Sequence, residues 1–239
     1  FAHADDLIDI TDGIRELLSP SGIFVFEVSY LADVFRRTLF DTIYHEHLAY
    51  HSVKPLRRFF EKRGMEMIAV KRVETHGGSL RGIVQLAEGP HSIDGSIEAF
   101  ISEEADLGLD KANTLQSFGA RIGEIKEELT YLLKSLKDKG KTIGGFGAPA
   151  KATTLMYHFD IGPDIIDFIV DDSQLKQGLY SPGMHIPIVP SSEMYSKKPD
   201  VMLILAWNFS KSIIKNHAQY LRRGGMFIVP LPEVEIFKL

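Results

Sequence analysis

The sequence predicts an α/β protein built in two parts, on three observations. Short apolar β-rich runs alternate with amphipathic stretches of helical period along most of the chain. From Gly140 onward the alternation becomes regular, strand then helix then strand, the pattern of a parallel sheet with right-handed crossovers. Between the two parts, Leu115, Phe118, Ile122, Ile125, Leu129, Leu132, Leu133 and Leu136 mark one long helix. The expected division is a first part over 1–90, a helical linker over 91–139 and a Rossmann-like domain over 140–239.

Composition narrows the function. Of 239 residues, 44% are hydrophobic and 25% charged, as in ordinary globular proteins, and the net charge is -5. That charge, with no Lys/Arg run longer than two, argues against a nucleic-acid groove or an anionic membrane surface. The chain has no Cys, which excludes disulfides, thiolate metal sites and a Cys nucleophile within it and fits a reducing compartment. No apolar run approaches the ~20 residues of a membrane span, and no signal peptide opens the sequence, so a cytoplasmic protein is expected. The first residue is Phe1, which leads us to expect a fragment or a processed chain.

In order, Leu7, Ile8, Ile10, Ile14, Leu17 and Leu18 predict a helix over 5–19, stopped by Ser19-Pro20-Ser21-Gly22. The run 22–28 reads as a buried parallel strand delivering Glu27, Ser29 and Tyr30 at its carboxyl end. Ligands of open α/β sheets bind beyond such ends, so His3, Tyr30 and the loop Tyr44 to His47 could share a cleft; strand-end solvation is the competing reading of Glu27 and Tyr30. Ser52 is a plausible N-cap for a helix over 53–63 closed by Gly64. Residues 65–73 and 79–87 form an expected antiparallel hairpin through Glu74-Thr75-His76-Gly77-Gly78. That turn, with Ser79 and Arg81, either contacts an anionic or hydroxylated ligand or is a plain hairpin turn. Two helices follow, broken at Gly108. The stretch from Ile143 through Gly144-Gly145-Phe146-Gly147-Ala148-Pro149-Ala150 reads strand, glycine turn, helix, with Asp171-Asp172 about twenty residues on. The third glycine of a dinucleotide fingerprint is Ala150 here, so dinucleotide binding, another phosphate, or packing all stay open. Trp207 and Asn208 end a central strand, where they either face a ligand or cap and pack, and the loop holding Lys176-Gln177-Gly178 and Tyr180-Ser181-Pro182-Gly183 could form a lid.

Chemistry-bearing residues are densest in Tyr44-His45-Glu46-His47-Leu48-Ala49-Tyr50-His51, with three imidazoles, a carboxylate and two phenols in eight residues. Three readings apply. His45 and His47 could ligate a metal, although i and i+2 share a face only on a strand; the histidines could merely bond backbone at a helix entry; or a His with a neighbouring carboxylate and Tyr could perform general acid/base catalysis.

Those residues, together with His76-Gly77-Gly78-Ser79-Leu80-Arg81, Gly145-Phe146-Gly147-Ala148-Pro149-Ala150-Lys151, Pro182-Gly183-Met184-His185-Ile186-Pro187 and Ala206-Trp207-Asn208, make the chain resemble the S-adenosylmethionine-dependent sugar C-methyltransferases acting on nucleotide-linked deoxysugars. The resemblance runs nearly end to end. It implies the end of a class I methyltransferase-type sheet followed by a Rossmann-like C-terminal domain, with zinc held only by a cysteine-rich N-terminal segment that this Cys-free chain does not contain. The loop that holds S-adenosylmethionine is also missing, so the chain alone is expected to be inactive and activity to belong to a longer parent. For that parent the resemblance implies removal of the proton α to the keto group of a nucleotide-linked sugar, and attack of the enolate on the sulfonium methyl. By resemblance His47 is the base, Glu46 orients it, Tyr44 is the enolate or hydroxyl partner and His3 an accessory imidazole. His3, Glu27 and Tyr30 are then expected near the cofactor, and Tyr50, Gly77, Gly78, Ser79, Arg81, Gly147, Lys151, Trp207 and Asn208 near the substrate. An NAD(P)-binding oxidoreductase module and a non-catalytic nucleotide-sugar binding domain are the other two classes left open.

Overall fold

The structure is a computed structural model and describes residues 1–239 apart from the side chain of His76. It is α/β, and its contacts divide it into two compact units: residues 1–39 with 45–119, and residues 40–44 with 120–239.

The first unit opens with α1 (Leu7–Leu17), whose N-cap Asp6 accepts from the amides of Ile8 and Asp9. Strand β1 (Ile23–Ser29) leads into α2 (Leu31–Arg36), and α3 (Val53–Glu61) into the hairpin β2 (Met65–Val73) and β3 (Ser79–Leu86). The sheet order is β1-β3-β2, and both pairings are antiparallel. The hairpin is as expected; the parallel pairing expected for β1 is not. The returning strand β3 inserts between β1 and β2, so β1 and β2 run in the same direction but never touch. The alternation of β1 agrees: Phe26 and Val28 are buried while Ile23 and Val25 are about half exposed, the one-sided burial of an antiparallel sheet rather than of a parallel one. The core joins Phe26, Val28 and Tyr30 to Val53, Leu56 and Phe60 of α3 and Met65, Met67, Leu80 and Val84 of the hairpin. Helix α4 (Ser96–Leu107) closes at Gly108, as expected, and α5 (Ala112–Asp138) follows it.

The second unit contains β4 (Ile143–Phe146), α6 (Ala150–Phe159), β5 (Phe168–Asp171), β6 (Ile188–Pro190), α7 (Glu193–Lys197), β7 (Val201–Ile204), α8 (Ser210–Asn216), α9 (Ala218–Arg222), β8 (Met226–Val229) and β9 (Glu235–Phe237). The sheet order is β6-β5-β4-β7-β8-β9, parallel throughout except for the edge strand β9. Each of β4, β5 and β7 is buried along its whole length, which is why these strands read as unbroken apolar runs. Helices α8 and α9 are separated at His217, whose Nδ1 shares a hydrogen bond with the Tyr195 hydroxyl at 2.9 Å. Among the described residues no helix is long and apolar enough to cross a membrane.

Candidate active site

The histidine-rich segment enters α3. Leu31 N donates to His51 O at 2.8 Å, and Tyr30 and His51 form an isolated parallel bridge, which pins the end of the segment to the end of β1. His51 itself turns inward: it is buried, its Nε2 has no partner, and burial lowers its pKa and favours the neutral ring. His47 faces the other way. Its ring lies 5.3 Å from that of His3, centroid to centroid, and 6.4 Å from that of Tyr50, which stands edge-on at 89°. His45 and Glu46 are exposed. The structure thus brings together the expected base His47, the accessory His3 and the phenol of Tyr50. Among the described residues no three His, Asp or Glu groups stand close enough to hold a metal ion.

Tyr50 also lines a cavity of about 650 Å³ in the first unit. Phe59 shares the wall with Arg58 of α3 and its C-cap Lys62, which supply positive charge, while Lys54 is paired with Asp110 of the same wall at 3.4 Å. Such a volume suits a small-molecule ligand.

Tyr30 does not face a cleft. It is fully buried, its hydroxyl donates to Glu104 Oε1 at 3.2 Å, and burial raises its pKa far above the ordinary phenol value. The same Glu104 accepts from the amides of Val53 (2.5 Å) and Lys54 (3.1 Å), so it does for α3 what Ser52 was expected to do; Ser52 makes no side-chain cap bond. Glu27 is held by Arg81 at 2.9 Å and by the Thr75 hydroxyl. Two candidates from opposite sides of the expected site, Glu27 for the cofactor and Arg81 for the substrate, therefore pair with each other across adjacent strands. With Tyr30 buried and Glu27 engaged, these two side chains do not fit the task of holding S-adenosylmethionine.

The glycine turn at 77–78 is a packing device. Gly78 has φ +139°, and a Cβ there would come within 2.6 Å of the Asp33 side chain. Asp33 is in turn bound by Arg72 at 3.1 Å, while the Arg72 guanidinium also bonds Glu103 and lies over the Tyr30 ring at 5.2 Å. Ser79 is buried and donates to Thr75 O at 3.1 Å. It secures the turn from within.

In the second unit, Gly147 (φ +88°) lets the end of β4 approach the end of β7: a Cβ there would sit 2.5 Å from Ala206 Cβ. Asp171, the acidic residue that a dinucleotide site would direct to a ribose, instead accepts from Ala148 N at 2.7 Å and ties down the turn itself. Gly147, Asp171, Lys176 and His217 line a cavity of about 350 Å³ at the carboxyl ends of the strands.

The segment Phe40–Tyr44 is seated in this second unit. Asp41 is fully buried, and its Oδ2 accepts from Trp207 Nε1 at 2.6 Å. Lys151 Nζ lies 3.6 Å from the same oxygen and 4.0 Å from the centre of the Trp207 ring. Lys151 and Trp207, both expected to meet substrate, are thus largely enclosed, with Trp207 7% exposed. Asn208 Oδ1 is buried without a partner. Sequence reasoning passed over Asp41 and Glu104. Asp41 did leave a signal, as the lone carboxylate in the run Leu39-Phe40-Asp41-Thr42-Ile43.

Comparison with known proteins places the chain in a family. Residues 74–232 match the C-methyltransferase C-terminal domain. The chain is 35% identical over 236 residues to the C-methyltransferase NovU of Streptomyces niveus, an alignment covering 99% of this chain and 56% of that protein. The chain therefore spans a little over half the length of that relative, and on both matches it belongs to the C-methyltransferases.

Proposed function

We propose that this chain supplies the proton-transfer and substrate-handling part of a methyltransferase that C-methylates a nucleotide-linked keto-deoxysugar. The observation that carries the reading is the approach of His3 to His47 and of His47 to Tyr50, beside a large cavity whose wall holds Arg58 and Lys62. A carbon acid α to a ketone needs a base within reach, and imidazole is matched to that task near neutral pH. His47 takes the α-proton and the electron pair moves onto the carbonyl oxygen. Glu46, its chain neighbour, orients the ring, His3 shares the proton, and Tyr44 donates a hydrogen bond to the enolate oxygen. S-adenosylmethionine supplies the methyl group. The cavity lined by Tyr50, Phe59, Lys54, Arg58 and Lys62 suits a planar base with its phosphates. The oxidoreductase alternative loses support because Asp171 is committed to the glycine turn.

The test is hydrogen–deuterium exchange at the sugar carbon next to the ketone, in D2O, with a nucleotide-linked 3-keto-6-deoxysugar and no methyl donor. Exchange faster than in buffer is expected, with a loss of at least ~100-fold in His47→Asn. Tight binding of the nucleotide sugar without exchange would make the chain a binding domain and sink the catalytic reading.

A further inference from the structure

The buried charges around Asp41 have no role in the chemistry above, and burying them is costly. A buried ion pair is weak evidence for stability, because desolvating two charges offsets most of their attraction. Here the arrangement is also unfinished: Asp41 Oδ1 is buried without a partner, and Lys151 sits at 3.6 Å from Oδ2, beyond good hydrogen-bond length. Burial raises the pKa of Asp41 and lowers that of Lys151, while each draws the other back toward its charged form. Two apolar side chains would fill the space at less cost. What the charged cluster supplies is direction: the Trp207 N–H donates to one placement of the carboxylate, and the Trp207 ring face suits one placement of the ammonium.

That direction is imposed on a short, rigid piece of chain. Phe40 stacks on Phe159 of α6 at 5.1 Å. Ile43 N donates to Phe40 O and Tyr44 N to Thr42 O, both at 3.0 Å, and Ile43 O accepts from Thr154 Oγ1 of α6 at 3.4 Å. From Asp41 to Tyr44 the backbone therefore has little freedom, and Lys151, the second residue of α6 after the glycine turn, stands 3.6 Å from the carboxylate at its head. We propose that Asp41, Lys151 and Trp207 form a positioning cluster that fixes the backbone of Tyr44 for the reaction, with Lys151 acting through Asp41 rather than on the substrate. The proposal rests on the functional reading above only for the role of Tyr44.

Trp207 is the single tryptophan of the chain, so its emission reports the state of the cluster directly. The experiment compares the full chain with Asp41→Asn, Lys151→Met, the Asp41→Asn/Lys151→Met double variant and Trp207→Phe. Three quantities are read: acrylamide quenching of Trp207, the resonance of Tyr44 in protein carrying 13C-labelled tyrosine, and kcat and KM for α-proton exchange. Trp207→Phe, which has no indole to quench, is read by the last two. Asp41→Asn and Lys151→Met are each expected to shift the Tyr44 resonance and raise quenching at least twofold. Both should lower kcat for exchange about 10- to 100-fold while KM stays within about threefold. The double variant should be no worse than the poorer single one, because the two side chains act as a unit.

A raised KM with unchanged kcat in Lys151→Met would make Lys151 a substrate ligand and overturn the proposal. So would a lowered melting temperature with the Tyr44 resonance and kcat unmoved, which is the outcome of a merely structural pair. If the parent chain catalyses no exchange, the functional reading fails alone: the Tyr44 resonance and Trp207 quenching still decide whether the cluster positions the segment.

Discussion

Glu104 ties α3 to Tyr30 inside the first unit, so one change there should loosen both. It is buried, and its two oxygens accept from the amides of Val53 and Lys54 and from the Tyr30 hydroxyl. Glu104→Ala removes the cap of α3, worth ~1 kcal/mol. It also strands a buried tyrosine hydroxyl, which costs ~1–3 kcal/mol when nothing replaces the acceptor. Together the expected loss is about 3 kcal/mol, equivalent to about 100-fold in the opening equilibrium of α3 and its neighbours. Hydrogen exchange of the amides over 53–60 reads that number directly, because their protection depends on the same opening. Glu104→Gln should lose only about 1 kcal/mol, since the amide oxygen still accepts. Tyr30→Phe placed in the Glu104→Ala background should then cost almost nothing, its partner being gone already. Exchange over 53–60 within about threefold of the parent in Glu104→Ala would refute the account of this carboxylate as a cap.

Three further outcomes follow from the geometry. Gly147→Ala places a Cβ on that of Ala206 at a positive φ and should lower the stability of the second unit by about 3 kcal/mol, seen as a fall in the urea midpoint followed by Trp207 fluorescence; an unchanged midpoint would mean the turn relaxes freely. Asp200 is held at a pKa of about 2, chiefly by Lys141 and next by the Thr142 amide. Its depressed value means that it contributes stability above the unfolded value of ~3.9 and loses it as pH falls toward 2. Discounted for solvent screening this is ~1 kcal/mol, so Asp200→Asn should flatten that part of the acid titration of stability and leave neutral-pH behaviour to the other carboxylates. Arg72→Met leaves the buried Asp33 without its partner and should cost ~3 kcal/mol, measured by thermal unfolding of the first unit.

What the sequence revealed was set by how local each feature is. The hairpin, the helices α4 and α5 with the break at Gly108, and the strand–helix alternation after Gly140 all depend on patterns within one or two turns, and all are present. The neighbour of β1 depends on where β3 inserts, which the hydrophobic pattern of β1 alone does not encode. The inward turn of Tyr30 depends on Glu104, 74 residues away, and the enclosure of Trp207 on Asp41, 166 residues away. In the candidate site, the concentration of His, Glu and Tyr between Tyr44 and His51 was visible at once. Which of its imidazoles faces outward was not, since His47 and His51 differ only in the tertiary surroundings that bury one and leave the other beside His3.

The second unit owes five of its residues, 40–44, to a part of the chain that precedes most of the first unit. A ribosome releases Asp41 well before it has made Lys151, and 166 residues before it has made Trp207. During synthesis the segment must wait, with its carboxylate still in water, until its partners Lys151 and Trp207 have been made. Closing a loop of that length costs ~4 kcal/mol of chain entropy, so docking of the segment is a late, long-range event in the folding of this protein. The segment that carries Tyr44 would be fully seated only after Trp207 has emerged. The discontinuity thus makes synthesis through Trp207 a condition for seating residues 40–44, and a chain released before that point would carry Tyr44 without the side chains that hold its segment.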